Sequence, residues 1–479
     1  MAAASPALRY ESTAGSYLWI LVGAGLLAFA VSAGVALAVG EMQALWVALS
    51  LVTCVAVLFD FRVGVVALIA LLPVSATSVF PHELMGITGL NPINLMLAGT
   101  LVSYVIHGRR QTGTLVPPRL VWLYVAPIVV AGVIGAFHAD EIIPHFYETM
   151  AINFTGPVGY LRDFLVKPLI IVVVAVTIGA AAARSQKPER FLIPIALSVW
   201  LVCLVELVYV LASGVRLGEL AGRSARTFFA TVGLHANDLG RLLAVAYALL
   251  LFSWWETRNA ALKTFLFLSM GVLALGLLLT FSRGAFIGFL LVNAMFVAWK
   301  FNARTVGLAL GAGALSALIL PGAVIGRLTM GMDTGDVNTV SAGRIEEIWL
   351  PLLPEALRTP LWGNGLNSIM WSYPMETGAM LNVVHPHNAY LEAWLDMGVI
   401  GLTLLVAYFW HVWRGFRALG SNAYLSPEMR GFFQGAAAGL LCFAVTGLVG
   451  SSLRPVWEFA YLWMAIGMMY GIAARRPTS

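Results

Sequence analysis

The sequence predicts an all-α protein, a polytopic transmembrane helical bundle of roughly 12–14 spans with one large outer loop that contains short amphipathic helices. Three observations predict it. Of 479 residues, 60% are hydrophobic and only 11% are charged, against about a quarter charged in soluble domains. The apolar residues gather into separate runs near bilayer length, and mean hydropathy over the chain is +0.87. Lysine and arginine are sided: with the N-terminus inside, every loop on that side carries basic charge, as insertion favours.

In order, the runs fall at 16–40, 42–59, 63–79, 92–107, 120–137, 164–183, 191–213, 237–255, 263–281, 284–299, 304–320, 389–411, 432–450 and 456–473. The first is too long for a signal-peptide core and lacks a clear cleavage context, so it is expected to persist as a helix. Runs 42–59 and 63–79 are short enough to form one broken pair instead. This layout puts both termini on the cytoplasmic side and divides the chain into 1–320 (helices with short loops), 321–388 (a loop region) and 389–479 (the last helices). Cys54, Cys203 and Cys442 lie inside apolar runs without pairing or ligand spacing, so neither a disulfide nor a metal site is expected. The net charge of +5 sits in loops between spans and is no nucleic-acid signature.

The basic residues that break the sidedness carry more information than those that obey it. Arg162, Lys167, Arg216, Arg223, Arg226, Arg241, Arg283, Arg327, Arg344, Arg358 and Arg454 fall at or near the outer face. A basic outer cavity suits an anionic ligand, because the guanidinium fork grips phosphate with two hydrogen bonds. Three outer loops are long enough to have structure. Residues 138–163 end in Tyr160-Leu-Arg162-Asp163, and 214–236 lead through Arg226 to His235-Ala-Asn237-Asp238. The longest runs from Pro321 to Pro386. Its segment 344–358 is apolar on a helical period, which predicts an amphipathic helix lying on the membrane surface or packed as a small lid.

That loop ends in residues 382–401, NVVHPHNAYLEAWLDMGVIG. His385 and His387 flank Pro386, which holds the backbone extended, and Asn388 stands where a helix N-cap belongs. Imidazole is the side chain able to take a proton near neutrality. Glu392 and Asp396, one turn apart, are candidates to orient it. Arg283 in Phe281-Ser-Arg-Gly284 either faces a cavity or snorkels to lipid headgroups. Arg344 follows Ser341-Ala-Gly343 in a first helical turn, with Trp349 and Pro360-Leu-Trp-Gly-Asn-Gly365 beyond it. Asn237-Asp238 reads as an N-cap, with Arg241 one turn on. Glu206 and Glu458 fall in apolar runs. His82, His107, His138, His145, His235 and His411 receive no role. The chain has no phosphate-binding glycine loop with lysine, no Asp-x-Asp pair for a metal-held nucleotide sugar and no metal-ligand cluster.

Four blocks in order, Ser282-Arg283-Gly284, Gly343-Arg344 with Trp349, Pro360-Leu-Trp-Gly363-Asn-Gly365 and His387-Asn388 with Gly398 and Gly401, resemble the bacterial O-antigen ligase and O-antigen polymerase superfamily over roughly 220–410. The resemblance implies an inner-membrane glycosyltransferase with a periplasmic active site in the large loop region. It would take a glycan from an undecaprenyl-diphosphate-linked donor to a lipid A-core or glycan acceptor, among membrane lipids, with no cofactor, no metal and no nucleic acid. His387 matches the family's essential histidine, and Arg283 and Arg344 match its diphosphate-binding arginines. Arg162, Arg226, Asn237, His385 and Asn388 join them here as substrate-binding candidates from side and chemistry. Protein glycosylation and, from another class, small-anion transport are the competing readings.

Overall fold

The computed structural model describes residues 50, 53–78, 80–84, 87–108, 116–149, 152, 154–215, 228–229, 232–233, 235–319, 322, 326, 336–341, 343–377, 383–450 and 452–475. The apolar run at 16–40, most of 42–59, and Arg226 lie outside them. The chain divides into two compact units, Met1–Gly113 and Thr114–Ser479.

In the first unit, α1 (Phe61–Leu71) begins at Asp60, whose carboxylate accepts from the Arg62 backbone N–H, and α2 (Pro92–Ser103) begins at Asn91, which accepts from Asn94. Both are ordinary N-caps that satisfy donors the first turn leaves open. A two-residue antiparallel hairpin, β1 (Glu83–Leu84) with β2 (Ile87–Thr88), lies between them in sequence.

The second unit is helical: α3 (Pro118–Ala136), α4 (Gly156–Arg184), α5 (Leu192–Ser213), α6 (Ala236–Glu256), α7 (Ala260–Leu279), α8 (Arg283–Trp299), α9 (Ala303–Ile319), α10 (Leu350–Arg358), α11 (Ala389–Gly420), α12 (Pro427–Thr446) and α13 (Ala460–Ala473). Among the described residues seven helices are long and apolar enough to cross a membrane, and α1, α8 and Pro92–Ile106 are shorter apolar helices. The protein is thus an all-α polytopic bundle. Every run expected beyond residue 60 contains a helix, although in the run 63–79 the helix stops at Leu71.

At the centre stands α6, buried along nearly its whole length. Gly431 and Gly435 of α12 let the two backbones close: a Cβ at either would strike the carbonyl oxygens of Phe252 or Ala248. In lipid, where apolar side chains gain little by leaving the solvent, such small residues four apart are what hold helices together. Gly467 and Gly471 of α13 do the same against Ala175 and Gly179 of α4.

The sequence gives no hint that α11 is broken. At Gly398 the backbone takes φ 66° and ψ −176°, a conformation essentially confined to glycine. Residues 359–366 fill the break. Asn364 and Gly365 donate to the carbonyls of Leu395 and Asp396 at 2.8 and 3.0 Å, while Val399 and Ile400 donate to Pro360 and Leu361 at 2.8 and 3.3 Å. The hydrogen bonds lost within the helix are therefore replaced by loop backbone, which is how a discontinuous helix is tolerated away from water. Gly363 is equally constrained, at φ 74° with its α-carbon against the Asp396–Met397 peptide.

Candidate active site

One end of the bundle gathers the N-termini of α6, α8 and α11 and the turn after α12. His387 precedes α11 with φ 52°, left-handed backbone that a histidine rarely adopts. Such a conformation costs on the order of 1–3 kcal/mol and persists where surrounding structure over-determines it. Two contacts do so here. Trp349 Nε1 donates to the Pro386 carbonyl at 2.8 Å, and the His387 N–H donates to His385 Nδ1 at 3.3 Å. Because Nδ1 accepts, the neutral His385 ring carries its proton on Nε2. The two rings meet edge to face, centroids 4.3 Å apart. Asn388 then caps α11, its Oδ1 accepting from Tyr390 and Leu391 at 3.0 and 3.1 Å.

Burial and the strongest charged neighbours of this pair, arginines and imidazoles, act in one direction. Burial, then His385, Arg344, Arg241 and His235, push His387 down to about 2. Burial, then Arg241, Arg454, His235 and Arg344, push His385 down to about 3. Both rings are therefore neutral near pH 7 and stand in a field that favours an incoming anion.

The other expected residues fall into place unevenly. Arg344 joins the histidines. Arg283 is the first residue of α8, following Ser282, whose hydroxyl meets Asn237 Oδ1 at 2.9 Å. The preceding Phe281 is also left-handed, at φ 47°. Asn237 in turn donates its N–H to His235 Nδ1 at 3.3 Å, so α8 connects to the histidine cluster through the start of α6. Arg162, expected at the end of a polar loop, lies instead within α4, because the helix already begins at Gly156. There it pairs with Asp163 at 3.0 Å, and Lys167 shares that carboxylate at 2.5 Å.

Glu392 and Asp396 do not orient an imidazole. Glu392 meets Arg454 Nη2 at 2.8 Å, and the same guanidinium reaches Asn367 Oδ1. Asp396 accepts from the backbone of Asn367 and Ser368 at 2.9 and 3.1 Å and from the Ser368 hydroxyl at 3.0 Å. Arg241 pairs with Glu458 at 2.7 Å and Asp238 at 3.2 Å. Three groups near the histidines thus went unassigned in the sequence: His235, Arg241 and Arg454. Arg241 and Arg454 were visible as outer-face arginines. His235 was one scattered histidine among several, and only folding sets it beside the others.

These helices define a multi-pass membrane protein with a neutral histidine pair set among arginines at one end of its bundle. Residues 268–406 match the family model described as O-antigen ligase, so that stretch of the chain is similar to this family. The matched segment holds Arg283, Arg344, Trp349, His385 and His387, and it ends short of Arg454 and begins after Arg241. A search of curated proteins found no match to the chain.

Proposed function

We propose that the protein is an O-antigen ligase of the bacterial inner membrane, moving a glycan from undecaprenyl diphosphate to a hydroxyl of lipid A-core at the periplasmic face. The observation that carries this reading is the neutral, buried His385–His387 pair with Arg344 and Arg241 as charged neighbours, inside or beside the segment matched by the ligase family. The donor's anomeric carbon already bears a good leaving group. What remains is to remove the acceptor proton and to hold the charge that develops on the departing diphosphate.

In this reading His387 takes the proton of the acceptor hydroxyl as its oxygen bonds to the anomeric carbon. The bond from that carbon to the diphosphate breaks with its electron pair, and Arg344 and Arg283 hold the departing anion. Direct displacement inverts the anomeric configuration. Burial is the first cause of the depressed basicity of His387 and the arginines add to it; a bound diphosphate offsets the arginines' share and so raises the imidazole's basicity. His385, Asn237, Asn388, Arg162 and Arg226 are the proposed substrate-side groups, and of these the large loop region of 321–388 presents His385 and Asn388, along with Arg344 and His387.

The test supplies purified protein with undecaprenyl-diphosphate-linked glycan and either lipid A-core or no second acceptor. Extension of lipid A-core with inverted configuration supports the ligase. Growth of the lipid-linked glycan alone identifies a polymerase, and a retained configuration removes direct displacement. The broken helix α11 favours one other reading, since discontinuous helices are a feature of anion transporters. Here protein backbone fills the break and the sequence shows no internal repeat. Uptake of a small anion into proteoliposomes without any glycan would decide for the transporter.

A further inference from the structure

The opposite end of the bundle carries a polar cavity that owes nothing to the glycosyltransferase reading. The 32 residues of α11 place its last turn on the order of 45 Å from His387. There a cavity of about 220 Å³ is lined by Trp299, Lys300, Arg417, Gly420, Ser421 and Gln434. The Arg417 guanidinium lies over the Trp299 ring, 4.6 Å from its centroid, and 5.9 Å from that of Trp413. Among the described residues Arg417 has no carboxylate partner. Lys300 meets Glu256 at 2.5 Å, so the cavity holds two cations against one nearby anion, an excess of a single positive charge.

Two further features narrow the ligand. Gln434 Nε2 donates to the Gly420 carbonyl at 2.7 Å, which leaves Oε1 buried and without a partner among the described residues. A buried acceptor left open is costly, so a ligand that brings a donor there is favoured. The surrounding belt is aromatic and basic: Arg304 stacks over Trp255 at 5.2 Å and Lys263 over Trp254 at 5.4 Å. Tryptophan with lysine and arginine is the pairing that sits at the level of lipid headgroups, and basic pockets between membrane helices hold anionic ones.

We propose that this cavity binds one anionic phospholipid through its headgroup. The phosphodiester, carrying one negative charge, lies between Lys300 and Arg417, and a headgroup hydroxyl donates to Gln434 Oε1, as phosphatidylglycerol would supply. Net charge favours a phosphodiester over a phosphomonoester. The tryptophans keep the glycerol backbone at the membrane boundary while the acyl chains run along the outer faces of α8 and α11.

The experiment is native mass spectrometry of the full chain in detergent with phosphatidylglycerol, phosphatidic acid, phosphatidylcholine or inorganic phosphate. One phosphatidylglycerol should be retained in preference to the other two lipids. The double variant Lys300→Gln/Arg417→Gln should lose roughly thirty-fold in apparent affinity, since each basic group near a lipid surface contributes about one part of that on a logarithmic scale. Gln434→Leu should erase the preference over phosphatidic acid. Equal retention of phosphatidylcholine, an unchanged double variant, or displacement by millimolar inorganic phosphate would each overturn the proposal. Should the double variant not fold, the wild-type preference among lipids decides alone.

Discussion

Two groups of ionisable side chains lie side by side at the His387 end of the bundle, and they are built on opposite plans. In one, Arg454 and Arg241 are buried against Glu392 and Glu458, and Asp396 is held by backbone donors. These charges answer one another. In the other, the strongest charged neighbours of His385 and His387 are arginines and a third histidine. The first group ties α11, α6 and the turn after α12 into a rigid frame. The second has its complementary charge still to come. The lesson is that closeness to a candidate site does not make an arginine a ligand; its carboxylate partners assign it to the frame.

The sharpest break in that contrast is His387→Ala. Transfer should fall by roughly 10²–10⁴-fold, with the thermal unfolding midpoint little changed, because the imidazole acts on substrate. A transfer rate within a few-fold of wild type would sink its role as the base.

Arg454→Met should behave in the reverse way. It leaves Glu392 buried without its cation and should cost about 3–5 kcal/mol of stability, read as a lowered unfolding midpoint and poor yield. Replacing Glu392 as well should recover most of the loss. A folded Arg454→Met protein with selectively lost donor binding would move Arg454 out of the frame and into the site.

Trp349→Phe removes the bond to the Pro386 carbonyl, worth about 1 kcal/mol. It should lower turnover by loosening the left-handed turn at His387 while leaving donor affinity nearly intact. Separate measurement of donor binding and turnover distinguishes this from a general loss of fold.

The smallest effect concerns pH. A positive neighbour holds an imidazole's pKa down, so Arg344→Gln should raise that of His387 and move the acid limb of the rate profile to higher pH. In the unaltered protein the limb should lie at higher pH in kcat than in kcat/KM, because kcat reports the donor-bound enzyme, where the diphosphate offsets the arginines. Coincident limbs would argue that donor and histidine do not share one cavity.

Much of this was legible from residue order. Apolar runs separated by short basic loops announce membrane helices, since a chain in lipid must satisfy its backbone within each segment. His387, Arg344 and Arg283 could be singled out because polar residues at the edges of such runs need a reason to be there. Asn388 could be read as a cap from local pattern, and it caps; Asn237-Asp238 was read the same way, yet His235 caps that helix. Arg162 was misplaced because a polar stretch was taken for loop where α4 begins about two turns earlier, at Gly156. Glu392 and Asp396 were offered to the histidines because they are neighbours in sequence, yet the helix turns them toward Arg454 and the 367–368 backbone.

By itself, then, the order of residues determined which segments are long and apolar enough to cross a membrane and which histidine stands at a helix start. These depend on hydrophobicity and short-range spacing. Only the tertiary structure decided which arginines are answered by carboxylates, that His235 joins the pair from 150 residues away, and that the 359–366 loop fills a gap in α11. Charge pairing and backbone repair act through space over a few ångströms, and sequence distance carries no information about them.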